Sequence, residues 1–139
     1  MTQTTPRVIT AKNAPTTGFS EGTKAPLSMA IAHNGLLFVS GQGPLDPNTH
    51  TIVSDDFEEQ TRVTLENLLR VVEAAGSTKN DILRCNVYIR DMENFGKFNP
   101  IYRAFFADAS HFPARTTVRA DPPRAGVLVE IDCIAAVAE

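Results

Sequence analysis

Val127-Leu-Val-Glu-Ile-Asp-Cys-Ile-Ala-Ala-Val137 is the stretch whose reading decides the fold. In an extended chain Val127, Val129, Ile131, Cys133 and Val137 fall on one side, and Leu128, Glu130, Asp132, Ile134 and Ala136 on the other. The first side is continuously apolar and belongs on a core. The second is mixed rather than polar, and such a sheet face is expected to be covered by another subunit. Glu130 sits in the middle of this strand, fifteen residues after Arg115 in the run His111-Phe-Pro-Ala-Arg-Thr-Thr-Val118. A charge in or beside a buried strand must be solvated, paired or used.

Further strands flank this one in the reading. Asp81 to Arg90 alternates, with Leu83, Cys85, Val87 and Ile89 on one side and Arg84, Asn86, Tyr88 and Arg90 on the other. Arg115 to Ala120 alternates too, placing Arg115, Thr117 and Arg119 together, and Asp121–Gly126 is a turn-rich connection. Nearer the N-terminus, Asn34-Gly35 separates Ser28–His33 from Leu36–Ser40 and predicts a tight hairpin, because a type I′ turn needs positive φ at both central residues. Residues 1–26 read as an extended lead-in, with 1–8 expected to be flexible apart from one short edge strand at Arg7–Ala11.

Two segments change period. Between Asp55 and Ala75, Phe57, Thr61, Leu65, Leu68, Val72 and Ala75 recur at three- and four-residue steps and predict a helix. Ser54 or Asp55 is the expected cap, and Gly76 the left-handed stop. Asn94 to Ala107 predicts a second helix with Phe95, Phe98, Tyr102, Phe105 and Phe106 on its apolar side. Pro100 interrupts it as a kink or a fresh start. The order strand, strand, helix, strand, helix, strand, strand predicts a single α+β domain over residues 1–139, a mostly antiparallel sheet with two helices on one face.

Composition narrows the function. The chain has 139 residues, 42% of them apolar and 21% charged, enough to build a core. A net charge of −3 without any long run of like charge lacks the footprint of a nucleic-acid binder. Cys85 and Cys133 lie in apolar runs without Cys-x-x-Cys spacing and read as buried thiols in a reducing compartment. His33, His50 and His111 share no ligand spacing, so no metal site is expected. The N-terminal residues carry no apolar core of signal-peptide length, and no stretch approaches a membrane span, which points to the cytoplasm.

Among candidate site residues, Arg115 is suited to grip a carboxylate through two parallel hydrogen bonds; its structural alternative is an ion pair at a sheet edge. Glu130 either handles a water or proton, or pairs with Arg124, Arg119 or Arg115. Ser40 has no histidine or lysine partner in view, which disfavours nucleophilic catalysis. Gly41 reads as room for close backbone approach to a ligand, or as a turn requirement. Asn99 is either a site residue or a helix cap before Pro100.

Val39-Ser-Gly-Gln42 with Pro44-Leu-Asp-Pro47, Gln60-Thr-Arg62, Leu65-Glu-Asn67, Glu73-Ala-Ala-Gly76, Tyr102-x-x-Phe-Phe106, Phe112-Pro-Ala-Arg115 and Val129-Glu-Ile131 occur in the order and approximate spacing of the Rid family, the reactive intermediate deaminases also called YjgF. The resemblance covers residues 9–137 or so. It implies a chorismate-mutase-like fold and a homotrimer with clefts between subunits. It also implies hydrolysis of short-lived 2-imino or enamino acids to 2-oxo acids and ammonia, with no cofactor. By resemblance Arg115 pairs with the substrate carboxylate and Glu130 goes with the hydrolytic water. Ser40, Gly41 and Asn99 line the cleft, and Thr117 stands where many members have cysteine. Ala25-Pro-Leu-Ser-Met29 stands where many deaminating members have Gly-Pro-Tyr-Ser-Gln, so Leu27 brings no hydroxyl to the substrate wall. Two alternatives stay open. One is a larger enamine such as 2-aminomuconate as substrate; the other is a non-catalytic trimeric module that binds 2-oxo acids or a protein partner.

Overall fold

The computed structural model describes residues 5–16 and 25–138; the expected lead-in over 1–4 and 17–24 lies outside the described residues. Six strands form one sheet: β1 (Arg7–Ile9), β2 (Ala30–His33), β3 (Leu36–Gln42), β4 (Ile82–Ile89), β5 (Ala114–Arg119) and β6 (Val129–Ala136). Two helices, α1 (Phe57–Ala74) and α2 (Phe95–Phe105), connect β3 to β4 and β4 to β5. The spatial order is β1-β2-β3-β6-β4-β5, antiparallel except for the parallel pair β4–β5. The predicted α+β arrangement is therefore what the chain adopts. The expected edge strand forms, with Arg7 and Val8 registered against Ala32 and Ile31, but it stops at Ile9 rather than Ala11.

The alternation that predicts β6 holds along its length. Val129, Ile131, Cys133 and Ala135 are buried, and the residues between them are half-buried. β6 pairs with β3 on one edge and β4 on the other, so β3 and β4 run parallel with β6 between them. Each helix thus bridges two parallel strands, and the shared hand of such crossovers sets both on one face of the sheet. Asn34 (φ 51°) and Gly35 (φ 82°) make the hairpin turn between β2 and β3 as expected. One expectation fails in β4: Leu83 is 43% exposed, because an irregularity between Ile82 and Arg84 puts Ile82 on the core side instead.

The helix boundaries shift by a few residues. Asp56, not Ser54 or Asp55, caps α1, its carboxylate accepting from the Glu59 amide at 2.9 Å, and Gly76 (φ 87°) provides the left-handed exit. Pro100 neither starts nor ends α2 but lies inside it, so Asn99 is an interior residue and not a cap. Among the described residues no helix is long and apolar enough to cross a membrane.

Four polar side chains of α1 are fully buried, Gln60, Thr61, Thr64 and Asn67, of which the apolar periodicity places only Thr61 on the core face. Asn67 donates to the Gly43 and Leu45 carbonyls, both at 2.9 Å, and holds the loop after β3. Gln60 donates to the Ser54 and Gly126 carbonyls at 2.8 and 2.9 Å and accepts from the Leu128 amide at 2.8 Å. One side chain thereby ties the entry of α1 to the entry of β6. Gln60→Leu keeps the volume but strands two carbonyls and an amide. It should lower unfolding free energy by roughly 2–4 kcal/mol, read as a lower urea midpoint at unchanged m-value.

Candidate functional site

Parallel pairing with β4 decides where Arg115 points. Its register partner is Cys85, a core residue, so Arg115 lies on the helix side of the sheet at the open edge of β5. There its guanidinium stacks on α2, with its central carbon 4.8 Å from the Tyr102 ring centroid and 5.3 Å from that of Phe98. Planar guanidinium suits such a bed, which fixes its orientation while leaving its N–H edge for a ligand. Among the described residues it makes no ion pair and no side-chain hydrogen bond, so the sheet-edge ion pair does not form. Asn99, Tyr102, Arg103, Phe112, Pro113 and Arg115 line a cleft of about 250 Å³ at this edge.

The ionisable groups under the cleft, Tyr102 in its lining and Cys85 buried beneath, are neutral. Burial pushes the Cys85 thiol up to about 11, and burial followed by the neighbouring Cys85 holds the Tyr102 phenol protonated. Cys133, registered against Cys85, is likewise kept a thiol by burial. Both cysteines are packing residues, as expected. Thr117 shares the face of Arg115, and its buried hydroxyl has no hydrogen-bond partner among the described residues.

Glu130 is not beside Arg115. It is registered against Tyr88 on the outer face of the sheet, the side away from the helices. A bulge in β3 between Val39 and Gln42 brings Ser40 and Gly41 to this side of β6. A Cβ on Gly41 would lie 2.8 Å from Oε2 of Glu130, so only glycine lets the carboxylate lie there. Close approach is thus the reason for glycine at 41, and the group that approaches is Glu130. Ser40 donates to the Ser28 carbonyl at 2.6 Å, which fixes the segment carrying Leu27. Leu27 itself, 45% exposed, lines a separate groove beside β1 and does not reach the Arg115 cleft. Met29 faces inward, and its sulfur accepts from the Ala11 amide at 3.3 Å.

Burial first, and the Asp132 carboxylate second, raise the pKa of Glu130. Asp132 is itself engaged, accepting from Asn86 at 2.8 Å and from the Tyr88 hydroxyl at 2.9 Å. The expected alternative partners for Glu130 are absent: neither Arg115, Arg119 nor Arg124 pairs with it among the described residues. Nor does any group of three His, Cys, Asp or Glu among them have the geometry to hold a metal ion.

The site residues therefore fall into two half-sites on opposite sheet faces. One, with Arg115, Asn99 and Thr117, offers a cation in a cleft; the other, with Glu130, Gly41 and Ser40, offers a reluctant carboxylate. Sequence periodicity places Arg115 beside Thr117 correctly but says nothing of the face, because a strand's polarity relative to its neighbours is a tertiary property. Arg103, missed in the sequence, lies one helical turn after Asn99 and is legible by that spacing.

Two measurements check this geometry. Gly41→Ala should displace the Glu130 carboxylate in a crystal structure while leaving the strands in register. A raised native pKa means the folded chain holds the Glu130 proton longer than the unfolded one, so stability falls as pH rises through the window between the two values. Glu130→Gln should therefore raise Tm at neutral pH, and the gain should vanish below the ordinary glutamate range.

Residues 19–137 match the family model described as Endoribonuclease L-PSP. A RutC family protein of Pyrococcus horikoshii is 42% identical over 110 residues, spanning 79% of this chain and 86% of that protein. The crystal structure of the Rid family protein YyfA from Yersinia pestis superposes with a TM-score of 0.85 at 40% identity, covering 96% of this chain and all of that one. TdcF of E. coli, solved with bound serine, gives 0.83 at 31% identity, covering 95% and 99%. The paired helices, the six-stranded sheet and nearly the whole length of the chain are accounted for by these relatives, and the chain belongs to the Rid (YjgF) family.

Proposed function

We propose that the protein hydrolyses reactive 2-imino or enamino acids to 2-oxo acids and ammonia. The observation that carries this reading is Arg115: a guanidinium over the Phe98 and Tyr102 rings, in a cleft, with no ion-pair partner among the described residues. A side chain so held is preorganised for the carboxylate of a small acid. Glu130 supplies the other requirement, since a glutamate of raised pKa exchanges protons more readily near neutrality.

The steps balance with water alone. Arg115 holds the substrate carboxylate beside the protonated imine carbon. Glu130 takes a proton from water as the oxygen bonds to that carbon. The carbinolamine nitrogen then receives the proton, the C–N bond breaks with its electron pair leaving on nitrogen, and loss of the hydroxyl proton yields the 2-oxo acid and ammonia. A protonated imine is already electrophilic, so positioning supplies much of the rate.

Arg115 and Glu130 lie on opposite faces, so one chain does not join them. We place the complete site between copies, the cleft of one chain meeting the outer face of the next. Two different surfaces then meet, an arrangement that closes into a ring rather than a two-fold dimer; a homotrimer is the smallest such ring. The outer face supports it: Val8, Leu36 and Phe38 are 63%, 38% and 45% exposed there, with Ile31 between Val8 and Phe38 and Ile134 on the far side of Phe38. RNA cleavage, which the family's description names, fits the surface less well. The net charge is −3, and Glu130 and Asp132 together on the outer face would repel a phosphate backbone.

Ammonia release from 2-iminopropanoate or 2-iminobutanoate generated in situ tests the reading. Wild type should accelerate it, and Arg115→Ala and Glu130→Gln should each reduce kcat/KM by about a hundredfold or more. Mixing the two inactive variants after mild dissociation should restore part of the activity, because some interfaces then carry both intact side chains. A wild type that leaves imine lifetimes unchanged overturns the assignment.

A further inference from the structure

The cleft that holds Arg115 holds a second guanidinium. Arg103, on α2, lines the same 250 Å³ space, and its guanidinium lies 5.7 Å from the centroid of the Phe112 ring on the opposite lip. Asn99, one helical turn earlier on the same ridge, adds an amide to the wall. Within one chain no acidic side chain lines this space, and Arg103 makes no ion pair among the described residues. Two like charges lining one small concavity repel each other, and an anion bound between them relieves that repulsion. Asp108, just beyond the end of α2, is paired with Lys79 at 2.8 Å.

We infer that Arg103 is a second anion anchor, and that the favoured substrates are 2-imino acids bearing a further carboxylate at the far end of the chain. This rests on the deaminase reading of the same site and narrows it. Arg115 takes the carboxylate next to the reacting carbon and Arg103 the distal one. Phe112 and the Tyr102 edge border the apolar linker between them. The cleft offers the liquid volume of about eight waters, more than a three-carbon acid fills. Arg103 is more exposed than Arg115, as befits the group that meets the outer end of the ligand. Its selectivity is a difference between substrates: a monocarboxylate leaves one guanidinium solvated, while a dicarboxylate uses both.

The experiment measures equilibrium binding of 2-oxoglutarate and 2-oxobutanoate, as stable product analogues, by calorimetry or ligand-observed NMR at fixed ionic strength. The readout is the ratio of their affinities. Wild type should prefer 2-oxoglutarate, and Arg103→Gln should cut that preference at least tenfold, the loss of one charge-assisted pair. Arg103→Lys should restore part of the preference, since charge remains but the planar fork is gone. Equal preference in wild type and Arg103→Gln overturns the inference, even if imines are hydrolysed. An Arg103-dependent preference in a protein that turns over no imine supports the anchor and removes the deaminase reading instead.

Discussion

Hydrogen bonding on both edges holds β6 in one register, and every functional placement in this chain follows from that constraint. β3 and β4 flank it, so a one-residue slip on either side would exchange the core row Val129, Ile131, Cys133 and Ala135 for the outer row Glu130, Asp132, Ile134 and Ala136. Burying two carboxylates under α1 costs too much to compete. Glu130 is consequently fixed on the outer face opposite Tyr88, and the bulge at Ser40–Gly41 shapes the surface on which it rests.

The helices supply the remaining precision through buried amides rather than through apolar packing alone. Gln60 joins Ser54, Gly126 and Leu128, and Asn67 joins Gly43 and Leu45. Each satisfies backbone groups that loops would otherwise bury without partners. The loop after β3 and the turn before β6 are thereby held against a rigid helix, which keeps the approaches to Gly41 and Glu130 in place. On the other side of the sheet α2 plays the corresponding part: Phe98 and Tyr102 form the surface on which Arg115 lies, and Asn99 and Arg103 form the wall beside it.

These two faces carry opposite electrostatics. The α2 cleft carries two guanidinium side chains over a protonated phenol and a buried thiol beneath it, while the outer face gathers Glu130 and Asp132, with Glu130 reluctant to ionise. In the proposed reaction the first would hold the substrate anion and the second would handle the proton. Chemistry that needs both requires the faces of different copies to meet, and the apolar row of Val8, Ile31, Leu36, Phe38 and Ile134 gives the sheet a reason to be covered.

Local pattern determined much of this protein. Alternation at 127–137, the Asn34-Gly35 turn and the three- and four-residue steps of Phe57 to Val72 were sufficient for the strands, the hairpin and α1, because each depends on neighbours within a few residues. Family-like motifs were sufficient to single out Arg115 and Glu130. The sequence misplaced Leu83, whose direction depends on an irregularity against β6, and passed over Gln60, Asn67 and Arg103, whose partners lie far along the chain or across a cleft. Nor did it show that Arg115 and Glu130 face opposite ways. Periodicity gives which residues of a strand share a side; only parallel pairing of β5 with β4, and insertion of β6 between β3 and β4, decided which side meets the helices.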